Sequence, residues 1–175
     1  WQLPRPHGAT LQQAQEKAVI LAHLVRSLWT DLSRPCSERV VDLALTYAER
    51  RRDATDLDRA VVVHGDPHPD NALQVLTARA GAEPGFVFVD PDGFLADPAY
   101  DLGVVLRGWC DELLAGDAAA TARRYCRLLA ERTGMDETAV WEWGFLERVS
   151  SGLYLLRLEA YDLGRRYLES AERLA

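Results

Sequence analysis

Residues Val61 to Leu73 read VVVHGDPHPDNAL, and nineteen positions after Asn71 a second hydrophobic run, FVFV, delivers Asp90. These residue types suit transfer of a phosphoryl group to a hydroxyl. Asp66 can accept the hydroxyl proton, while Asn71 and Asp90 supply the hard oxygen ligands that bring magnesium to nucleotide phosphates. Four residues separate Asp66 from Asn71, enough for the chain to loop so that the base faces the acceptor while Asn71 turns back toward the metal. Pro67 and Pro69 stiffen that loop. Each fixes its own φ, and together they push Asp66 and His68 toward extended conformations before any ligand arrives.

Two other readings compete for the same residues. A lone His-Gly-Asp in a loop is ordinarily a turn with a capping aspartate, but a β-rich run before it, Asn71 at the fifth position, a second strand and Asp90 set this stretch apart. His64, Asp66, His68 and Asp70 can also be drawn as a zinc or di-metal hydrolase cluster, because imidazole and carboxylate suit such ions. The chain has only four histidines, and the other two, His7 and His23, lie far upstream without partner carboxylates at ligand spacing.

HGDPHPDNAL followed by FVFVDPDGFLADPAYDLG resembles the aminoglycoside phosphotransferase family, a branch of the protein-kinase-like fold, and most of all its streptomycin kinases. The match covers His64, Asp66, Asn71, Asp90 and the Asp101-Leu102-Gly103 turn. Pro67 in place of the usual leucine and Asp70 in place of a frequent glycine depart from the common pattern, and they bear on the acceptor rather than on the chemistry. The resemblance implies that Asp66 is the catalytic base, that Asn71 and Asp90 hold Mg²⁺ and with it the nucleotide, and that His64 and Asp101 brace the catalytic loop. For Asp101 a plainer role also stands, since an aspartate in the first turn of a helix is favoured by the dipole. The family also places acidic side chains against the amino groups of its substrate about twenty residues past the Asp90 position, where Asp111 and Glu112 stand; an exposed helix end is the alternative for both.

Composition narrows the setting. With 175 residues and 48% hydrophobic content the chain can bury one substantial core. No run of about 18 apolar residues and no signal-peptide pattern occurs, so neither a membrane span nor secretion is indicated and the cytoplasm is the working location. The net charge of −7 argues against nucleic acid or an anionic membrane as the main partner and leans toward a cationic small molecule. Cys36, Cys110 and Cys126 are odd in number and widely spaced, which fits reduced, packed thiols better than a disulfide framework.

The elements that must position these residues are mostly helices, in an α+β chain with one small hairpin. Thr10 with Gln13 makes a capping-box start, after which Leu11, Ala14, Ala18, Leu21, Val25 and Leu28 recur at helical spacing to about Trp29. Ser37 caps a second helix with Val40, Val41, Ala44, Leu45 and Ala48 on one side, ending in a solvated stretch from Glu49 to Asp53. Residues 60–63 form a short β-rich lead-in, and 72–77 and 86–89 read as two strands joined by a Gly/Pro-containing loop, a hairpin presenting Asn71 and Asp90 together. From Tyr100 onward the pattern is helical, interrupted near Gly116, at Gly134-Met135-Asp136 and at Gly152, with Asp117 and Asp136 as caps. Trp141, Trp143, Phe145, Tyr154 and Tyr161 read as core aromatics.

An N-terminal lobe with a phosphate-binding lysine is expected of a kinase-like enzyme. Lys17 is the one lysine, on a surface-type position of the first helix, and it is not assigned that role. Residues 1–175 are therefore read as the catalytic and acceptor-binding C-terminal lobe of a kinase-like fold, its nucleotide lobe absent and the lobe alone inactive. The function expected is aminoglycoside O-phosphotransfer from ATP or GTP, a resistance activity with streptomycin-like acceptors first. The runner-up is a kinase for another alcohol (homoserine, choline, a macrolide or hydroxyurea), followed by a non-catalytic kinase-like binding module.

Overall fold

The computed structural model describes residues 5–77, 80, 82 and 85–175. The Trp1-to-Pro4 start lies outside them, as do Gly81 and Pro84 of the loop expected to join the hairpin strands. Two helices open the fold, α1 (Leu11–Asp31) and α2 (Glu38–Ala54). The Gln13 N–H donates to Thr10 Oγ1 at 3.2 Å while the Thr10 N–H donates to Gln13 Oε1 at 2.8 Å, the reciprocal box expected at the start of α1. Ala14, Ala18, Leu21, Val25 and Leu28 form its buried stripe. Ser37 caps α2, and Glu172 accepts from both its backbone N–H and its hydroxyl at 2.6 and 2.7 Å, tying the start of α2 to the far end of the chain.

Four short strands follow among the described residues, β1 (Val61–Val63), β2 (Ala72–Gln74), β3 (Phe86–Phe88) and β4 (Phe94–Ala96). β2 and β3 pair antiparallel as the expected hairpin, with Ala72 opposite Phe88. β1 pairs antiparallel with β4, Val63 opposite Phe94, so the lead-in is one edge of a second small sheet. Five helices complete the chain: α3 (Tyr100–Arg107), α4 (Cys110–Ala115), α5 (Ala118–Thr133), α6 (Glu137–Arg157) and α7 (Tyr161–Leu174). Asp117 and Asp136 cap α5 and α6, and Gly134 closes α5 at φ +73°. The result is α+β and predominantly helical, as expected.

α6 is the axis of the core. It is buried on nearly every side and packs against α1, α2, α3, α5 and α7. Gly152, expected to interrupt it, does not: a Cβ there would sit 3.0 Å from Leu168 and Tyr167 side-chain atoms, so this glycine makes room for α7, and the break falls at Leu158–Ala160. The stretch from Glu49 to Asp53 is not wholly solvated either. Arg51 is buried, with its Nε 2.6 Å from the buried Glu142 carboxylate on α6. Trp143 and Phe145 are core residues as expected, whereas Tyr154 and Tyr161 stand about half exposed. Cys110 and Cys126 are buried and all three cysteines are free; burial, with the nearby Glu172 and Glu137, pushes the Cys36 and Cys126 thiols up to about 12.

α3 and α6 approach closely where Gly103 faces Trp143 and Gly144. A Cβ on Gly103 would lie 2.5 Å from Trp143 Cβ and 2.7 Å from the Gly144 nitrogen. Gly103→Ala should therefore destabilise the fold by about 1–3 kcal/mol, the usual cost of overpacking. Urea denaturation reads this directly, and an unchanged midpoint would contradict so close an approach. Because α3 also carries residues that reach the loop after β1, this crossing sets where those residues stand.

Candidate active site

β1 delivers the His64-Gly65-Asp66 turn beside β4, and the Gly93 N–H donates to the His64 carbonyl at 3.2 Å where the two strands part. Gly65 has φ +93°, and a Cβ on it would meet Phe94 Cε1 at 2.6 Å and Asp92 Cβ at 2.7 Å. Only glycine fits both the angle and the space. Beyond it the loop closes on itself. The His68 N–H donates to the Asp66 carbonyl at 2.9 Å, the Asn71 N–H to the His68 carbonyl at 3.0 Å, and Asn71 Nδ2 to the Asp66 carbonyl at 2.9 Å. The single turn Pro69–Asn71 is 3₁₀, with His68 Nδ1 accepting from the Asp70 N–H.

Asp101, the second residue of α3, is fully buried beneath this loop. Its carboxylate accepts from the His64 and Gly65 N–H groups, each at 2.8 Å. Burial pushes the Asp101 carboxyl above its ordinary range, against the pull of those two donors. The His64 ring ties the loop in a second direction: Nε2 donates to the Val89 carbonyl at 3.0 Å, and Nδ1 accepts from the Asp66 N–H at 3.3 Å. A carbonyl can only accept, so Nε2 carries a proton in this contact. Both nitrogens are thereby engaged, and His64 is not arranged as a metal ligand. Among the described residues no three His, Cys, Asp or Glu side chains gather as a metal-holding group, so the hydrolase cluster of His64, Asp66, His68 and Asp70 is not built.

The Asn71 carbonyl accepts from the Val89 N–H at 2.9 Å, which places Asp90 one residue along the strand neighbouring Asn71. Asp90 is exposed and leaves β3 at φ +58°, an angle unusual for a residue with a side chain. Asn71 commits its Nδ2 to the loop, so the atom it offers a cation is oxygen. Together with the Asp90 carboxylate this is an all-oxygen donor set, which suits Mg²⁺ and not a thiolate- or imidazole-seeking ion.

The Asp66 side chain is 30% exposed, and both its oxygens have partners. Arg107, the last residue of α3, places its guanidinium on Oδ1, and His68 Nε2 stands 3.2 Å from Oδ2. Behind Arg107 is Glu147 of α6, buried, 3.4 Å from the guanidinium and accepting from the Tyr100 hydroxyl. Burial works against the charge on Arg107, but Glu147 and Asp66 outweigh it and hold the guanidinium charged more firmly than usual. Burial, with the Glu147 charge next, keeps the Tyr100 hydroxyl protonated well beyond its ordinary range. Arg107, Glu147 and Tyr100 were not foreseen from sequence. Their signal is Glu147 itself, a charge inside the apolar run FLERVSSGLYLL.

The structure thus brings His64, Asp66, Asn71, Asp90 and Asp101 together. Asp111 and Glu112 lie in the first turn of α4, both exposed, and Asp111 pairs with Arg166 of α7. Lys17 is half-buried rather than a free surface side chain, its Nζ 4.8 Å above the Phe94 ring and 5.4 Å from that of Tyr100. No helix among the described residues is long and apolar enough to cross a membrane.

The family model of the phosphotransferase enzyme family matches residues 4–141. No curated protein and no solved structure is matched by the chain.

Proposed function

The chain belongs to the phosphotransferase enzyme family, and from that premise we propose that it is the catalytic and acceptor-binding lobe of an aminoglycoside O-phosphotransferase. The donor is ATP or GTP, the acceptor a hydroxyl of a cationic sugar or cyclitol, streptomycin-like compounds first. One observation carries this reading: Asp66, Asn71 and the Asp90 strand are joined through one hydrogen-bonded loop that Asp101 braces from the core. Asp66 accepts the acceptor's proton, and His64 and Asp101 hold the backbone that carries it. Asn71 and Asp90 would hold Mg²⁺, which when bound neutralises charge on the nucleotide phosphates. Asp101 is a positioning group, because its oxygens face backbone N–H groups. With Lys17 seated on aromatic rings, the phosphate-anchoring lysine is assigned to a separate nucleotide lobe, and the cytoplasm is the proposed location.

The metal part is tested by titrating activity of the full-length protein against Mg²⁺ and Zn²⁺. Turnover is expected with Mg²⁺ and not with Zn²⁺, and it should disappear in Asp90→Ala. A zinc-dependent activity would contradict the oxygen donor set.

The acceptor part rests on Asp111 and Glu112. Asp111→Asn and Glu112→Gln should raise the acceptor KM and weaken the salt dependence of binding, with nucleotide affinity barely changed. Unchanged acceptor kinetics in both would return them to an exposed helix end. A specific observation favours the runner-up, a kinase for another alcohol: Asp111 is already paired with Arg166, and an acid so neutralised offers less to a cation.

A further inference from the structure

Arg107 belongs neither to the quoted motifs nor to the chemistry assigned so far, yet it is in direct contact with the Asp66 carboxylate. We propose that Arg107 is a positioning residue: it fixes Asp66 through Oδ1 in the orientation from which Oδ2 takes the acceptor proton. The inference rests on the reading of Asp66 as the base.

An aspartate on a loop has two side-chain torsions to settle, and proton transfer needs one oxygen aimed at the acceptor. α3 meets that need from both its ends. Asp101, in the first turn, holds the His64 and Gly65 backbone, while Arg107, at the last residue, holds the Asp66 side chain. The two anchor points are six positions apart, about 9 Å along the axis at 1.5 Å per residue. One rigid helix therefore sets the loop backbone and the carboxylate together.

Arg107 is itself held from behind. Its Nη1 side faces Glu147, which is nearly fully buried and also accepts from Tyr100, while its Nη2 side reaches Asp66. A planar guanidinium serves two carboxylates at once in a fixed fork, which an ammonium cannot do. A purely structural partner for Glu147 would need no second contact on Asp66. The His68 ring on Oδ2 is the weaker tie, at 3.2 Å and from a side chain 30% exposed, and it is the one an acceptor hydroxyl displaces.

The test pairs kinetics with structure. In the full-length protein, with streptomycin and ATP·Mg²⁺, Arg107→Gln should lower kcat by about 10- to 100-fold, the scale of a misplaced catalytic group. The KM for ATP should change by less than about twofold. Arg107→Lys keeps a cation beside Glu147 and should fold where Gln does not, yet still fall below wild type, because one ammonium cannot hold both acids. In an Asp66→Asn background Arg107→Gln should add little further loss. A crystal structure of Arg107→Gln, or of the Lys variant, should show the Asp66 carboxylate swung from its place toward His68. An Asp66 carboxylate unmoved in that structure, or wild-type kcat in both variants, overturns the positioning role. Asp66→Ala separates the two ideas: wild-type activity there sinks the base reading and this inference with it, whereas an inactive Asp66→Ala beside a fully active Arg107→Gln sinks only the role of Arg107.

Discussion

Asp66→Ala in the full-length protein is expected to lower kcat by about 10² or more, the scale of lost general-base help, with a smaller change in acceptor KM. The reason is local. Asp66 is the loop's partly exposed carboxylate, anchored at Oδ1 by Arg107 and carried on a backbone that Asp101 and Asn71 hold from two directions. Removing the carboxylate leaves that frame in place, so the loss should fall on the chemical step. Asp66→Asn tests the same point with less change of shape, since the amide keeps one oxygen for Arg107 but no longer accepts a proton at this pH. Steady-state kinetics with both substrates decide it, and a variant within twofold of wild type would remove Asp66 from the mechanism.

Asp101→Ala is expected to cost about 2–6 kcal/mol of stability, because two buried N–H groups, those of His64 and Gly65, lose the carboxylate that accepts from them and each orphaned group costs about 1–3 kcal/mol. Both bonds are 2.8 Å long and Asp101 is fully buried, so water does not replace it without opening the loop. Activity should fall even below the denaturation midpoint, since the same two N–H groups set the direction in which the chain enters Asp66. Asp101→Asn keeps one carbonyl oxygen and should lose roughly half as much. Urea unfolding followed by circular dichroism reads the difference; an Ala variant as stable as wild type would mean that the carboxylate is not the brace.

What was legible in the sequence was what is local. Asp66, Asn71 and the loop between them lie within six residues, and the roles proposed for them come from spacing along the chain. Helix starts at Thr10, Ser37, Asp117 and Asp136 were legible for the same reason, because a cap acts on the next three residues. β4 was not: three residues between two Asp- and Pro-containing turns carry little strand signal, and the partner strand lies 33 residues earlier, Val62 against Leu95. Arg51, which falls in a stretch expected to be solvated, and Arg107 and Glu147, whose partners lie on other helices, meet those partners only when the helices pack: Arg51 finds Glu142, and Glu147 finds Arg107 and Tyr100. Gly152 shows the same ambiguity in reverse. A glycine in a helical pattern signals either a break or a close neighbour, and only the position of α7 decides between them.

Transfer of a phosphoryl group from nucleotide to an alcohol is tested most directly by phosphorus-31 NMR of the full-length protein with ATP·Mg²⁺ and a panel of streptomycin, choline, homoserine, hydroxyurea and a macrolide. Expected is a new phosphate monoester on streptomycin, formed one for one with ADP and absent in Asp66→Ala. An ester on another member of the panel would move the acceptor to the runner-up and leave the chemistry standing. Nucleotide turned over only to inorganic phosphate, or ester formed equally well by Asp66→Ala, would contradict Asp66-assisted transfer to a hydroxyl.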